Sequence, residues 1–159
     1  MEAFLDIETT GLFPNQCAIT VVGLFLTNGS RTRFVQLVGD RITPENLLGP
    51  LQGTSTLYTY NGSRFDIPFI RRRLGVDLDA LFYHCDLMFE CWNNDLRGGL
   101  KAVERQLNIP RRLKEIDGYE AVRLWWRYVN SYDEKALSLL LEYNREDVVN
   151  LKTLRDRLL

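Results

Sequence analysis

Five residues in this sequence combine types and spacings that could do chemistry. In "MEAFLDIETTGLF", Asp6 and Glu8 stand two apart in a run that is otherwise apolar: Ala3, Phe4, Leu5 and Ile7. Residues two apart on a strand share a face, so both carboxylates point together and Ile7 points away into the core. Adjacent carboxylates repel, and partial burial raises that cost. A divalent cation between them reverses its sign. The spacing alone leaves a metal pair and an incidental pair of acids both open, because Asp77-Leu78-Asp79 repeats it in what reads as a solvated loop. What sets the first pair apart is its apolar flanks and the polar turn Thr9-Thr10-Gly11 that follows.

Two further acids could join them. Asp66, in "YNGSRFDIPFI", lies where a strand ends and a helix starts. It is either a first-turn acid, a common role, or an acid delivered to the Asp6/Glu8 corner by a strand running beside the first one. Open α/β sheets place their sites at such strand ends, and Asn61 and Phe65 would then lie at the rim. In "EYNREDVVNL", Tyr143 and Asp147 are four apart and share one helical face. Their neighbours Leu140, Val148 and Leu151 make that face an inward one. Of the seven tyrosines, only Tyr143 has an Asp four residues later. Carboxylate oxygens are hard ligands that suit Mg²⁺ or Mn²⁺, and no thiolate accompanies them, which argues against zinc.

The elements that must position these groups follow from pattern. "AFLDIET" reads as a strand, and "QCAITVVGLFLTNGS" and "RTRFVQLVGD" as two more joined at Asn28-Gly29, a strong hairpin signal. "TPENLLGPL" opens as a short helix with Pro at its first turn. "STLYTYNG" is a fourth strand, and "FDIPFIRRRLG" a helix with Pro68 near its start and Gly75 at its end. "GGLKAVERQLNI", "GYEAVRLWWRYVN" and "DEKALSLLLEYNREDVVNLKTLRDRL" are helices, the first stopped by Pro110. Asp133 and Glu134 suit the last helix's N-terminal end, and Arg155 and Arg157 its C-terminal end. The expected class is α/β: a mixed central sheet, antiparallel over its first three strands with parallel strands added, flanked by helices.

Bulk properties bound the function. A chain of 159 residues suggests one domain, 1–159, able to bury roughly 68–70% of its unfolded surface. A net charge of −1 gives no global basic signature and lowers the case for a non-specific DNA coat protein. It leaves room for an enzyme that grips a few nucleotides through metals and a local patch. Three cysteines, Cys17, Cys85 and Cys91, include no CxxC pair; a reducing, cytoplasmic setting fits better than a disulfide framework. No run is long and apolar enough to span a bilayer, and the Met-Glu start lacks a basic leader.

Asp6-x-Glu8, Asn61-x-x-x-Phe65-Asp66 and Tyr143-x-x-x-Asp147, taken in order, resemble the three exonuclease motifs of the DnaQ-like 3′–5′ exonucleases, which have a ribonuclease-H-like fold. The tyrosine places the resemblance in the DEDDy branch. The histidine branch carries its base five residues before the last Asp, where this chain has Glu142. Within that branch, "HCDLM" and "GGLKAVERQLNIPRR" are similar to the His-x-Asp-Leu and Ser-Leu-Lys-x-x-Glu stretches of YprB-type ribonuclease-H-like domains, with Gly99 where Ser is usual.

The resemblance implies hydrolysis of phosphodiester bonds in single-stranded DNA or RNA from the 3′ end, releasing 5′-nucleotides. It implies two divalent ions, Mg²⁺ or Mn²⁺, about 3.5–4 Å apart, held by Asp6, Glu8, Asp66 and Asp147. Tyr143, with an ordinary pKa near 10, would orient the attacking water rather than deprotonate it. It implies contacts from Thr9, Thr10 and Leu12 to the terminal nucleotide. Asn61 could bond substrate or cap its turn, and Phe65 could stack a base or join the core. A separate helicase or repair partner is also in keeping with related domains. Two rivals stay open: a structure-specific endonuclease using the same acids, and a catalytically silent nucleic-acid or protein-binding module. Among the cations, Arg71, Arg72 and Arg73 spread around a helix and read as a solvated face. Arg111, Arg112 and Lys114, in a loop, are better placed to meet a phosphate backbone. His84 and Asp86 are too few for a metal site and read as structural, and of Trp125 and Trp126 at least one should enter the core.

Overall fold

The computed structural model describes residues 1–159. Strands β1 (Glu2–Thr9), β2 (Ile19–Thr27) and β3 (Thr32–Val38) pair antiparallel in chain order. The hairpin between β2 and β3 turns at Asn28-Gly29 as expected: Asn28 Oδ1 accepts from the amides of Ser30 and Arg31, and Gly29 takes a φ of 94°. Helix α1 (Pro44–Leu51) is capped by Thr43, whose hydroxyl accepts from the Asn46 amide. The chain then returns on the other side of β1 as β4 (Thr56–Thr59), parallel to it. Helix α2 (Asp66–Leu74) ends at Gly75, left-handed at φ 69°. A single turn, α3 (Leu78–Leu81), leads into β5 (Tyr83–Asp86), parallel to β4. Helices α4 (Leu87–Asn93), α5 (Leu100–Gln106), α6 (Gly118–Ser131) and α7 (Glu134–Leu158) complete the chain. The sheet order is β3-β2-β1-β4-β5. No helix is long and apolar enough to cross a membrane.

The period-2 pattern of β1 sorts its side chains between two cores. Ala3, Leu5 and Ile7 pack with Val22, Leu24 and Leu26 of β2 against α1, α2 and α3. Phe4 faces the opposite layer, with Tyr58, Leu87, Val103, Val148, Leu151 and Leu154. Asp6 and Glu8 belong to that second face, and α7 lies across it against β1 and β2.

The structure differs from expectation around residues 77–93. Asp77-Leu78-Asp79 is not a free loop: Leu78 is fully buried and starts α3, while the two acids stay exposed and pair with Arg71. Strand β5 and helix α4 have no counterpart in the pattern reading. His84 and Asp86 do have structural partners. The His84 ring bonds Thr59 Oγ1 at 2.8 Å and Asp79 at 2.9 Å. Asp86 caps α4 and accepts from the amides of Asn61 and Ser63 at 2.8 and 3.0 Å. It thereby ties the β4–α2 turn to the end of β5. Trp126 is exposed, whereas Trp125 packs beside the core under α6 and α7.

Candidate active site

Two close approaches bring the acids together. Gly23 is the register partner of Asp6 on β2, and a β-carbon there would overlap Asn144 of α7. Its bare backbone lets α7 descend onto the sheet. Asn144 is fully buried as a result and donates to Asp6 Oδ2 at 3.1 Å and to the Asp6 carbonyl at 3.2 Å. Its own Oδ1 accepts from Gln36 of β3 at 2.9 Å, which fixes the amide. The second approach is at Gly62, where a β-carbon would overlap the Thr59 side chain. The chain folds tightly over the end of β4 there and delivers Asp66 to β1, where its Oδ2 accepts from the Ile7 amide at 3.0 Å. That amide lies past the point where β4 stops pairing with β1, so Asp66 takes the place of a strand partner.

One carboxylate oxygen from each of Asp6, Glu8 and Asp147 lies within 4.8 Å of the others. Asp66, held on the Ile7 amide between the first two, adjoins that trio without belonging to it. The electrostatics are those of an anionic pocket only partly compensated, by Arg111 on Asp147. Burial pushes Asp6 and Glu8 well above the usual carboxylate range, and the charges of Glu8, Asp147 and Asp66 add to it for Asp6. Burial raises Asp66 to about 7 against the opposing Ile7 amide. It raises Asp147 to about 6 even though the Arg111 guanidinium works the other way. An oxygen-only donor set with surplus negative charge fits a hard divalent cation.

Tyr143 is 7% exposed on the α7 face beside this group, with Lys101 Nζ 5.4 Å from its ring centroid. Burial, then the charges of Asp147, Glu8 and Asp6, push its hydroxyl upward. A phenol so placed keeps its proton and can orient a water but cannot act as a base at neutral pH.

A cavity of about 700 Å³ opens beside Glu8, and all five residues expected to meet substrate line it: Thr9, Thr10, Leu12, Asn61 and Phe65. Leu12 is 73% exposed there. The Thr9 hydroxyl donates to the Gly11 carbonyl and Thr10 Oγ1 accepts from the Ala18 amide, so both stiffen the loop. Asn61 adopts φ 60°, and its Oδ1 has no hydrogen-bond partner within the protein. Phe65 divides between roles, packing on Phe69 at 5.3 Å and lining the cavity. The facing wall comes from α6 through Gly118, Tyr119 and Val122. No motif marks that wall, and an exposed Tyr at a helix start is its only sequence signal.

Arg111 is the main correction. Expected in a loop facing a phosphate backbone, it is buried and grips Glu104 through two hydrogen bonds of 2.6 and 2.9 Å, and Asp147 through a third. Glu104 also accepts from Asn150 at 2.9 Å. This network fixes Asp147 from behind. Arg112 pairs with Glu142, and Arg71 and Arg72 are exposed and bonded to Asp77 and Asn15.

A sequence model described as the RNase H superfamily matches residues 3–159. The chain belongs to the RNase H superfamily. YprB of Bacillus subtilis (strain 168) is 29% identical over 95% of this chain and 40% of YprB, so the chain spans well under half the length of that relative. Among solved structures, the family B DNA polymerase from the hyperthermophilic archaeon Pyrobaculum calidifontis superposes with a TM-score of 0.72 at 16% identity, over 99% of this chain and 24% of that one. NrnC of Brucella melitensis bound to pGG superposes at 0.65 with 19% identity, over 98% and 70%; NrnC with bound Mg²⁺ gives 0.64. At these identities the superpositions establish a shared fold, here a five-stranded mixed sheet flanked by helices.

Proposed function

We propose that this chain is a metal-dependent 3′–5′ exonuclease domain, 1–159, of the DEDDy type, acting on single-stranded DNA or RNA. The observation that carries the reading is the meeting of Asp6, Glu8 and Asp147 oxygens within 4.8 Å, flanked by Asp66 and Tyr143 and opening on the cavity behind Thr9, Leu12 and Phe65. Membership of the RNase H superfamily, and a fold shared with NrnC, which has been seen with pGG and with Mg²⁺, support it.

Two Mg²⁺ or Mn²⁺ ions held by the four carboxylates would supply the positive charge that activates water and stabilises the leaving 3′ oxygen. The chain's own residues do the rest. Asn144 and the Ile7 amide fix Asp6 and Asp66, and Arg111 fixes Asp147. Tyr143 orients the attacking water. Leu12, Phe65 and Tyr119 offer apolar faces to the terminal base, and Asn61 lines the cavity beside them. A cavity walled by two turns and a helix start suits the end of a strand better than its middle.

End-labelled oligonucleotides test this. Stepwise shortening from the 3′ end with Mg²⁺ or Mn²⁺ is the expected result. Internal fragments would indicate an endonuclease. No degradation, together with no Mn²⁺ binding, would leave a silent binding module.

A further inference from the structure

A second cleft, of about 420 Å³, lies on the α5 side of the site and is lined by Lys101, Arg105, Arg111 and Lys114, with Glu104 the only acid. Its shape follows from the local sequence. Lys101 and Arg105 are four apart on α5 and share a face. The helix closes with a Schellman arrangement: Ile109 donates to the Glu104 carbonyl at 2.8 Å and Asn108 to Arg105 at 3.3 Å, with Asn108 left-handed at φ 55°. That turn folds Pro110–Lys114 back alongside the helix, and Lys101 Nζ lies 3.5 Å from the Lys114 carbonyl.

The charge in this cleft is unmet. Glu104 is consumed by Arg111 and Asn150. Lys101, Arg105 and Lys114 stand in no ion pair, so three cations line one cleft with no acid bonded to any of them. Arg111, 5% exposed at its side chain, is not one of these free cations: it bonds Glu104 and Asp147, and its buried Nη1 lies 3.8 Å from Glu146. Burial, then the Arg111 charge, pushes Lys101 below its usual range against the opposing charges of Asp147, Asp117 and Glu104.

The cleft also adjoins the acids. Arg111 lines it and binds Asp147, while Glu8 lines the apolar cavity. A strand whose end fills that cavity and whose scissile linkage lies at the acids would bring its next phosphate toward this cleft, whose exposed cations are Arg105 and Lys114. We infer that this cleft is a phosphate subsite, taking the phosphodiester next to the scissile one on its 5′ side through Arg105, Lys114 and Lys101, with Arg111 as its buried floor. The inference rests on the exonuclease reading for its polarity.

The test uses fluorescent DNA and RNA 10-mers carrying one uncharged methylphosphonate at each linkage in turn, bound to the protein by anisotropy with Ca²⁺ in place of Mg²⁺. Affinity should fall about tenfold when the charge is removed from the second linkage from the 3′ end. Arg105→Ala/Lys114→Ala, both at exposed positions, should weaken binding by a similar factor and become indifferent to that methylphosphonate. The same variant should lower the salt slope by about 0.7 for each phosphate it no longer neutralises. Equal sensitivity at every linkage, a variant that remains sensitive, or sensitivity that follows the 5′ end as length changes would overturn the inference. A parallel gel with Mg²⁺ reads cleavage of the same oligomers by the unmodified protein. Failure to shorten them from the 3′ end would sink the exonuclease reading, and the methylphosphonate series would still decide whether the cleft binds phosphate.

Discussion

At the scale of single residues, three of the four carboxylates in the site have anchors of their own. Asp6 is held by Asn144, Asp66 by the Ile7 amide and Asp147 by Arg111. Removing an anchor should act on metal affinity rather than only on stability. Asn144→Ala is expected to weaken Mn²⁺ binding by roughly 10–100-fold, the usual cost of losing an outer partner of a metal ligand, read by titration calorimetry. Unchanged affinity would mean that Asn144 merely packs α7. Tyr143→Phe should lower turnover without abolishing it, whereas Asp6→Ala should abolish it; single-turnover cleavage with Mn²⁺ separates the two. Breaking the Arg111–Glu104 pair is a different kind of change, because it strands a buried charge. Arg111→Met should cost ~3–5 kcal/mol, a fall in Tm on the order of 10 °C, measured by calorimetry. Asp6, Glu8, Tyr143 and Asp147 are legible in the sequence because their spacing matches strand and helix periods, and Asp66 because it sits where a strand gives way to a helix. Glu104 falls in the Lys-x-x-Glu stretch, but its partnership with Arg111 and Asn150 is not legible, since it joins α5, a loop and α7 with no local pattern.

At the scale of elements, the site depends on how closely α7 lies on the sheet. Gly23→Ala would drive a β-carbon into Asn144 and Val148, and overpacking of this kind costs ~1–3 kcal/mol. The expected outcome is a lower Tm together with weaker Mn²⁺ binding, because Asn144 is displaced from Asp6; a change in Tm alone would uncouple the helix seat from the site. An isolated glycine inside a β-branched run is a sign of close backbone approach, so "TVVGLFL" carries a trace of this seat. The antiparallel meander, α2 and the last three helices follow from periodicity and from Asn28-Gly29, Pro68, Gly75 and Pro110, whereas β4 beside β1 is one of two placements the sequence leaves open, decided by the pairing itself. Strand β5 does not, because "YHCD" has four residues and no apolar alternation; its pairing with β4 alone holds it in the sheet. Helix α4 is hidden because its seven residues make only about two turns, although Asp86 is a regular N-cap. The single turn α3 is too short to carry a period, and only the burial of Leu78 reveals it.

At the scale of the whole molecule, the cluster of raised carboxylates works against folding stability and in favour of metal binding. Asp66 at about 7 and Asp147 at about 6 hold protons in the folded chain that the unfolded chain has already released. The unfolded carboxylates titrate near 4. The stability these groups allow is therefore complete below about pH 4 and is lost as pH rises through about 6 to 7. Around Asp147, burial and the Glu104 charge outweigh the opposing charges of Arg111 and Lys101, so the net direction is upward. The metal-free protein should melt a few degrees higher at pH 5.5 than at pH 7.5, taking about 2–4 °C per kcal/mol. Mg²⁺ or Mn²⁺ should raise Tm at pH 7.5 and do far less at pH 5.5, where protons compete for the same oxygens. Differential scanning fluorimetry checks both. The central claim, that these acids form the centre of an exonuclease, is met most directly by one comparison: a 3′-to-5′ ladder on end-labelled single strands with Mn²⁺, for the unmodified chain and for Asp6→Ala. The account predicts stepwise shortening by the first and none by the second. Undiminished shortening by Asp6→Ala, or intact strands with both proteins, would contradict it.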